Sequence, residues 1–267
     1  MPKTAWICET CGIQYAESEA PPERCAICED SRQYVGWQGQ RWTTLEELRT
    51  RHRADIREEE PGLVGIGCEP GFAIGQRALL VENVLWDCVP LLGGMAEAVE
   101  ARDGLRAIAI SHPHYYTTLV DWSRAFGGVP VYVHADDREW VLRPDTCVEL
   151  WEGEELELAP GLTLLRLGGH FAGGQVLHWA GGAGGRGALL SGDIVQVVQD
   201  RRWVSFMYSY PNLIPLPAAT VRRMVEQLEP YEFERVYGAW WDKVVAGDGK
   251  GAVRRSAERY VRALEAK

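Results

Sequence analysis

Between Leu63 and Lys267 the apolar positions fall into short bursts separated by longer amphipathic stretches. LVGIG, FAIG, RALLVE and NVLWDCV are brief apolar runs bounded by turn-forming or charged residues, which predicts β-strands. GMAEAVEARDG (94–104) then spaces its apolar residues as a helix does, and LRAIAIS (105–111) is a buried strand. The same alternation continues with LVDWSRAF as helix, VPVYVHA as strand and DDREWVL as a short helix. A second half repeats the habit, with strands at GLTLLRLG, GQVLHWA, GALLSGD and FERVYG. Its helices are PAATVRRMVEQLEP and GKGAVRRSAERYVRALEAK. GGAGGRG (181–187) is the turn of a hairpin. Two halves, each strand-rich before it becomes mixed, predict an α+β fold of two sheets with helices outside.

Residues 1–40 break this pattern, with little apolar periodicity and four of the seven cysteines. TTLEELRTRHRADIREEEPG (43–62) is polar and helix-forming, with Thr43 or Thr44 as N-cap and Pro61-Gly62 as the stop. The expected organisation is therefore a small module at 1–40, a linker helix at 41–61 and a main domain at 62–267.

Composition narrows the function. The formal net charge is −10, which disfavours nucleic acid and anionic lipid as partners. No apolar run approaches the ~18 residues of a membrane helix. MPKTAWICETCG lacks the basic-then-apolar pattern of a signal peptide, so a cytoplasmic location with reduced cysteines is expected.

In such a setting, clustered cysteines point to metal. Cys8 and Cys11 form one CxxC pair and Cys25 and Cys28 another, with 13 residues between them. Two such pairs make a tetrahedral four-thiolate site suited to zinc or a single iron, which would supply the folding energy a 40-residue module lacks. Gly12, Pro21-Pro22-Glu23 and Tyr34 around these pairs resemble the short rubredoxin-like domain of rubrerythrins. The second pair, Cys25-Ala26-Ile27-Cys28, lacks the proline that domain often carries. The resemblance implies either structural zinc or electron-transferring iron.

A second metal constellation starts at SHPHYYTT. His112 and His114, one residue apart on an extended segment, place both imidazoles on one side. Gly169-His170 follows the strand LTLLRL, and Ser191-Gly192-Asp193 follows GALL. Both put a ligand-type side chain at a strand's C-terminal end, where sites gather in α/β proteins. Each histidine alone is better explained as a satisfied core residue, and Asp193 alone as a turn residue; their joint placement is the signal.

The order HxH, then GGHFxGG, then SGD resembles the metallo-β-lactamase superfamily over roughly residues 62–265, which implies a four-layer αββα sandwich. That family's pattern is HxHxDH, a later His, a bridging Asp and a final His. His112, His114, His170 and Asp193 match the ligands of the first metal. Tyr116 stands in place of the aspartate, Thr117 in place of the next histidine, and Gly238-Ala239-Trp240-Trp241-Asp242 holds no final histidine. The resemblance thus implies one ion, zinc or iron, at three histidines and an aspartate. It makes Asp87, after VLW, a brace of the ligand loop, and Trp240 or Trp241 a filler of the second-metal space. Tyr115, Thr117, Tyr208 and Tyr210 become candidate walls, Tyr116 an oxyanion donor, and Asp193 a ligand or base.

The expected activity is hydrolysis of a small ester, thioester or lactone-like substrate. The alternatives are a non-haem iron redox enzyme fed with electrons through the four-cysteine module, and a catalytically degenerate binding protein. A small-molecule substrate is the expected partner; a homodimer, and a redox partner if the thiolates hold iron, remain open.

Overall fold

The computed structural model describes residues 3–266, which divide into two compact units, 3–150 and 151–266. In the first, β1 (Ile7–Cys8) pairs antiparallel with β2 (Trp42–Thr43), and α1 (Ala26–Glu29) begins at the second cysteine pair. Helix α2 (Leu45–Arg51) starts on a capping box. Thr44 accepts from the Glu47 N–H at 3.1 Å, and the Glu47 carboxylate accepts from the Thr44 N–H at the same distance.

The expected linker helix of 41–61 stops at Arg51. Residues Arg53–Glu60 form β3, which pairs antiparallel with β4 (Leu63–Glu69) from Arg53↔Glu69 to Glu60↔Leu63. RADIREEE has the composition of an exposed helix, but it lies at the edge of a sheet. Charged side chains are suited to an edge strand, and the ladder overrides local propensity. The run FAIG, expected as a strand, is a turn, closed by the Gly75 N–H donating to Phe72 O.

The rest of this unit follows the predicted alternation: β5 (Ala78–Val81), β6 (Val84–Trp86), α3 (Met95–Glu100), β7 (Ala107–Ala109), α4 (Leu119–Ala125), β8 (Val131–His134) and β9 (Val148–Trp151). A 3-10 turn at Ala135–Trp140 follows β8. The seven-stranded sheet has the order β3-β4-β5-β6-β7-β8-β9. It is antiparallel up to β6 and parallel across β6, β7 and β8, with α3 and α4 in the crossovers that parallel pairing requires. The C-terminal ends of these parallel strands therefore share one edge, and there Asp87 and the segment 111–117 emerge.

The second unit has a six-stranded sheet in the order β10 (Glu155–Ala159), β11 (Leu162–Arg166), β12 (Gln175–Trp179), β13 (Ala188–Gly192), β18 (Arg235–Gly238) and β19 (Val244–Val245). The hairpin β12–β13 turns through α5 (Gly182–Gly185). Between β13 and β18 lie β14 (Gln196–Val197), β15 (Val204–Ser205), β16 (Met207–Ser209), β17 (Ile214–Pro215) and α6 (Ala218–Leu228); α7 (Gly249–Glu265) ends the chain. Only β13 and β18 run parallel, with Gly192 opposite Gly238. Helix α6 buries Val221, Met224 and Leu228, and α7 buries Ala252, Val253, Ala257 and Val261. Both stripes join Leu165, Leu189, Ile194, Phe206 and Val236 in one core. Each fully buried aliphatic side chain there contributes about 1.5–3 kcal/mol. β11 runs in the direction of β13 and β18, so His170, Asp193 and Trp240 leave the sheet at the same edge.

Candidate metal centres

The four predicted cysteines are buried, unbridged and together, with all four sulfurs within 4.8 Å of one another. Cys8 Sγ lies 3.5 Å from Cys28 Sγ, and Cys11 Sγ 3.6 Å from Cys25 Sγ. A disulfide would need ~2.05 Å, whereas four sulfurs at ~2.3 Å from one ion stand ~3.8 Å apart. The spacing fits a tetrahedral ion. The Gly12 N–H donates to Cys8 O and the Glu29 N–H to Cys25 O, closing the two knuckles. Thiol donation from Cys11, Cys25 and Cys28 holds Cys8 far below the ordinary thiol range, while burial pushes Cys11 well above it. Cys25 is likewise lowered by its neighbours' thiols, and a cation among the four sulfurs would favour their thiolate forms further. Gln40 Nε2 also donates to Cys8 Sγ at 3.1 Å.

The second centre grows from β7. Asp87 follows β6 with φ 61°, a left-handed conformation that aspartate tolerates. Its N–H donates to Ala109 O at 2.8 Å, and its buried carboxylate accepts from the Ser111 N–H at 2.7 Å. The brace expected of Asp87 is therefore a direct bond to the residue before His112. Ser111 Oγ lies 3.0 Å from His112 Nδ1, so Nε2 is the nitrogen of that ring that could face an ion. Pro113–Tyr115 forms a single 3-10 turn, and the rings of His112 and His114 sit 5.0 Å apart. Tyr115 is fully buried and meets the His112 ring edge-on at 4.6 Å. Tyr116 and Thr117 are buried too. Burial pushes the Tyr116 phenol well above its usual pKa, helped by the charge of Asp137.

His170 sits in a loop that glycines shape. Gly169 has φ +87°, and a Cβ there would come 2.9 Å from Leu216 Cδ1. Gly174 has no room for one either, with Ile194 Cδ1 at 2.7 Å. The N–H groups of Leu167 and Gly168 both donate to Gly174 O, which closes the loop. His170 Nδ1 donates to Tyr208 O at 2.7 Å, which fixes the tautomer and the orientation of the ring. Tyr210 packs its ring 5.6 Å from that of His170 and donates its hydroxyl to Asp193 O at 2.6 Å. Tyr208 thus acts through its backbone carbonyl, and Tyr210 steadies two predicted site residues at once. The aromatic sequence around them signalled side chains but gave no sign of the carbonyl. Trp240 and Trp241 lie at the end of β18, half-buried.

The ligand atoms of His112, His114 and His170 lie within 4.8 Å of one another, and all three rings are buried. Asp193, also buried, stands outside that group. Three neutral imidazoles suit zinc, iron(II) or manganese and leave coordination positions open.

No family model matches the chain. It is 50% identical over 266 residues to the uncharacterized protein YmaE of Bacillus subtilis (strain 168), an alignment covering 97% of this chain and 96% of YmaE. Among solved structures it is similar to the DIM-1 metallo-β-lactamase, with a TM-score of 0.58 at 12% identity over 80% of this chain and 98% of that one. It is also similar to the mono-zinc form of the metallo-β-lactamase FIM-1 from Pseudomonas aeruginosa, with a TM-score of 0.57 at 16% identity over 79% and 96%. Identities this low establish the fold, which is that of the metallo-β-lactamases.

Proposed function

The chain belongs to the family of YmaE, and from that kinship, the metallo-β-lactamase fold and the histidine cluster we propose a hydrolase that works through one ion at His112, His114 and His170. The observation that carries this reading is the clustering of three buried imidazoles, beside positions where the histidines and aspartate of a second metal are missing. Tyr116 and Thr117 occupy two of those positions, and residues 239–242 supply no histidine. A divalent ion in this setting polarises a carbonyl and acidifies a coordinated water.

The remaining roles belong to the chain. Tyr208 O and Ser111 Oγ orient the rings of His170 and His112. Tyr116, kept protonated by its burial, offers an O–H donor to an oxyanion. The Asp193 carboxylate, one residue past β13, accepts the proton of the attacking water or completes the ligand set. Trp240 or Trp241 takes the space a second ion would need. A single ion suits small esters, thioesters and lactones better than phosphodiesters, whose cleavage often uses two. The ion is zinc or iron, and the substrate a small molecule.

A panel of esters, thioesters and lactones offered to the metal-replete protein tests the proposal. Turnover of one class, abolished in His112→Ala and His170→Ala, is expected. No turnover of any class with the histidine ion in place would refute hydrolysis and favour a binding role.

A redox reading draws on one observation, the Gln40 side-chain Nε2 donating to Cys8 Sγ, since donors to sulfur tune the potential of iron–thiolate centres. Colourless protein with zinc in both centres would eliminate it.

A further inference from the structure

Thr117 carries the strongest mark of strain beside the histidine turn. It is β-branched, yet its φ is +28°, in the left-handed region such residues avoid. Backbone in this state persists only where its surroundings over-determine it. Neither the Thr117 Oγ1 nor the Tyr116 hydroxyl finds a hydrogen-bonding partner among the described residues, so neither contributes a bond that would hold the turn.

Part of what surrounds these two residues comes from the four-cysteine module. Ile13 and Gln14, two and three residues past Cys11, line a small cavity together with Tyr116, Thr117, Leu119, Val141 and Arg143. Arg143 donates from the same Nη1 to Gln14 Oε1 at 2.5 Å and to Asp121 Oδ2 on α4 at 2.6 Å. Two further contacts fasten the module to the neighbouring segment. The Ala16 N–H donates to Leu142 O at 3.0 Å, and the Arg32 guanidinium lies 5.3 Å over the Trp140 ring, four residues after the second knuckle. The first knuckle leads straight into the wall against Tyr116–Thr117, and the second grips residue 140.

From this arrangement we infer that the ion held by Cys8, Cys11, Cys25 and Cys28 sets the metal affinity of the histidine turn, with Gln14 and Arg143 as positioning residues. The inference rests on the one-ion reading of His112, His114 and His170. The thiolate ion fixes the first knuckle, which keeps Ile13 and Gln14 in place. They in turn confine the strained Thr117, three residues past His114. An empty module would let the turn relax and spread the imidazoles. Groups one step removed from a ligand typically govern metal affinity by about 10–100-fold.

Cobalt(II) is a suitable probe, because thiolate coordination gives a charge-transfer band that imidazole coordination lacks. In the wild-type protein two cobalt ions are expected, one with that band and one without. Cys25→Ser/Cys28→Ser, with its fold checked by circular dichroism, is expected to bind the histidine-site cobalt at least about tenfold more weakly. Gln14→Ala and Arg143→Met keep all four thiolates. They are expected to retain the charge-transfer band while weakening the other ion several-fold, which decides the matter even if the double cysteine variant does not fold. Unchanged histidine-site affinity in Gln14→Ala and Arg143→Met would overturn the coupling and leave the one-ion site standing. Wild-type protein that binds cobalt only with the charge-transfer band would overturn the one-ion site itself, and the coupling with it.

Discussion

Asp87→Asn isolates what one carboxylate does for the histidine turn. The amide keeps the volume and one acceptor oxygen but removes the charge from the bond to the Ser111 N–H, and charge-assisted bonds of this kind are roughly twice as strong as neutral ones. The histidine-site ion should bind about 10-fold more weakly while the four-cysteine ion is unaffected, as titration with a competing chelator would report. His178 offers a pH test in the second unit. It is buried in β12, its Nε2 lies 2.8 Å from Glu232 O, and desolvation lowers its pKa. The folded protein thus favours the neutral ring. The corresponding stability is complete above the unfolded-state pKa of ~6.5 and is lost as pH falls through that value toward the lower folded one. Denaturant midpoints between pH 7.5 and 5 should fall less steeply for His178→Gln than for the wild type. The histidines and cysteines that matter were legible because metal chemistry accepts few residue types at few spacings. Ser111 and the Tyr208 carbonyl were not, because a backbone group carries no sequence signature and a lone serine hydroxyl has too many uses to mark one.

At the scale of elements, the His170 loop depends on backbone that only glycine adopts without strain. Gly169→Ala must accommodate both φ +87° and a Cβ against Leu216, at a cost of about 1–3 kcal/mol. A lower melting temperature together with weaker histidine-site metal binding is expected; loss of neither would show that the loop is not held as described. Thr44→Ala, which opens the capping box of α2, should cost about 1 kcal/mol in denaturant titration without touching either metal centre. The N-cap was readable from Thr44 and Glu47, whereas the end of the helix was not. Glu and Arg are good helix formers, and nothing local in RADIREEE reveals the β4 ladder waiting for it. The buried strands LRAIAI, VPVYVHA and LTLLRL were legible because an unbroken apolar run between turn signals has few other uses.

For the whole molecule, the alternation of strands and helices in two halves was enough to anticipate the α+β fold that the solved metallo-β-lactamase structures share with it. The attachment of the four-cysteine module was not visible, since it runs through Gln14 and Arg143, 129 residues apart in the chain. Pairing at that distance leaves no periodicity to read. The account implies that the protein carries two ions with distinct ligand chemistry. Elemental analysis of cleanly expressed protein, repeated on His112→Ala/His170→Ala, tests this most directly. Two metal ions per wild-type chain and one per variant chain, the survivor bound by thiolates, is the predicted result. An equal count in the two proteins, or three ions in the wild type, would contradict a single-ion histidine centre.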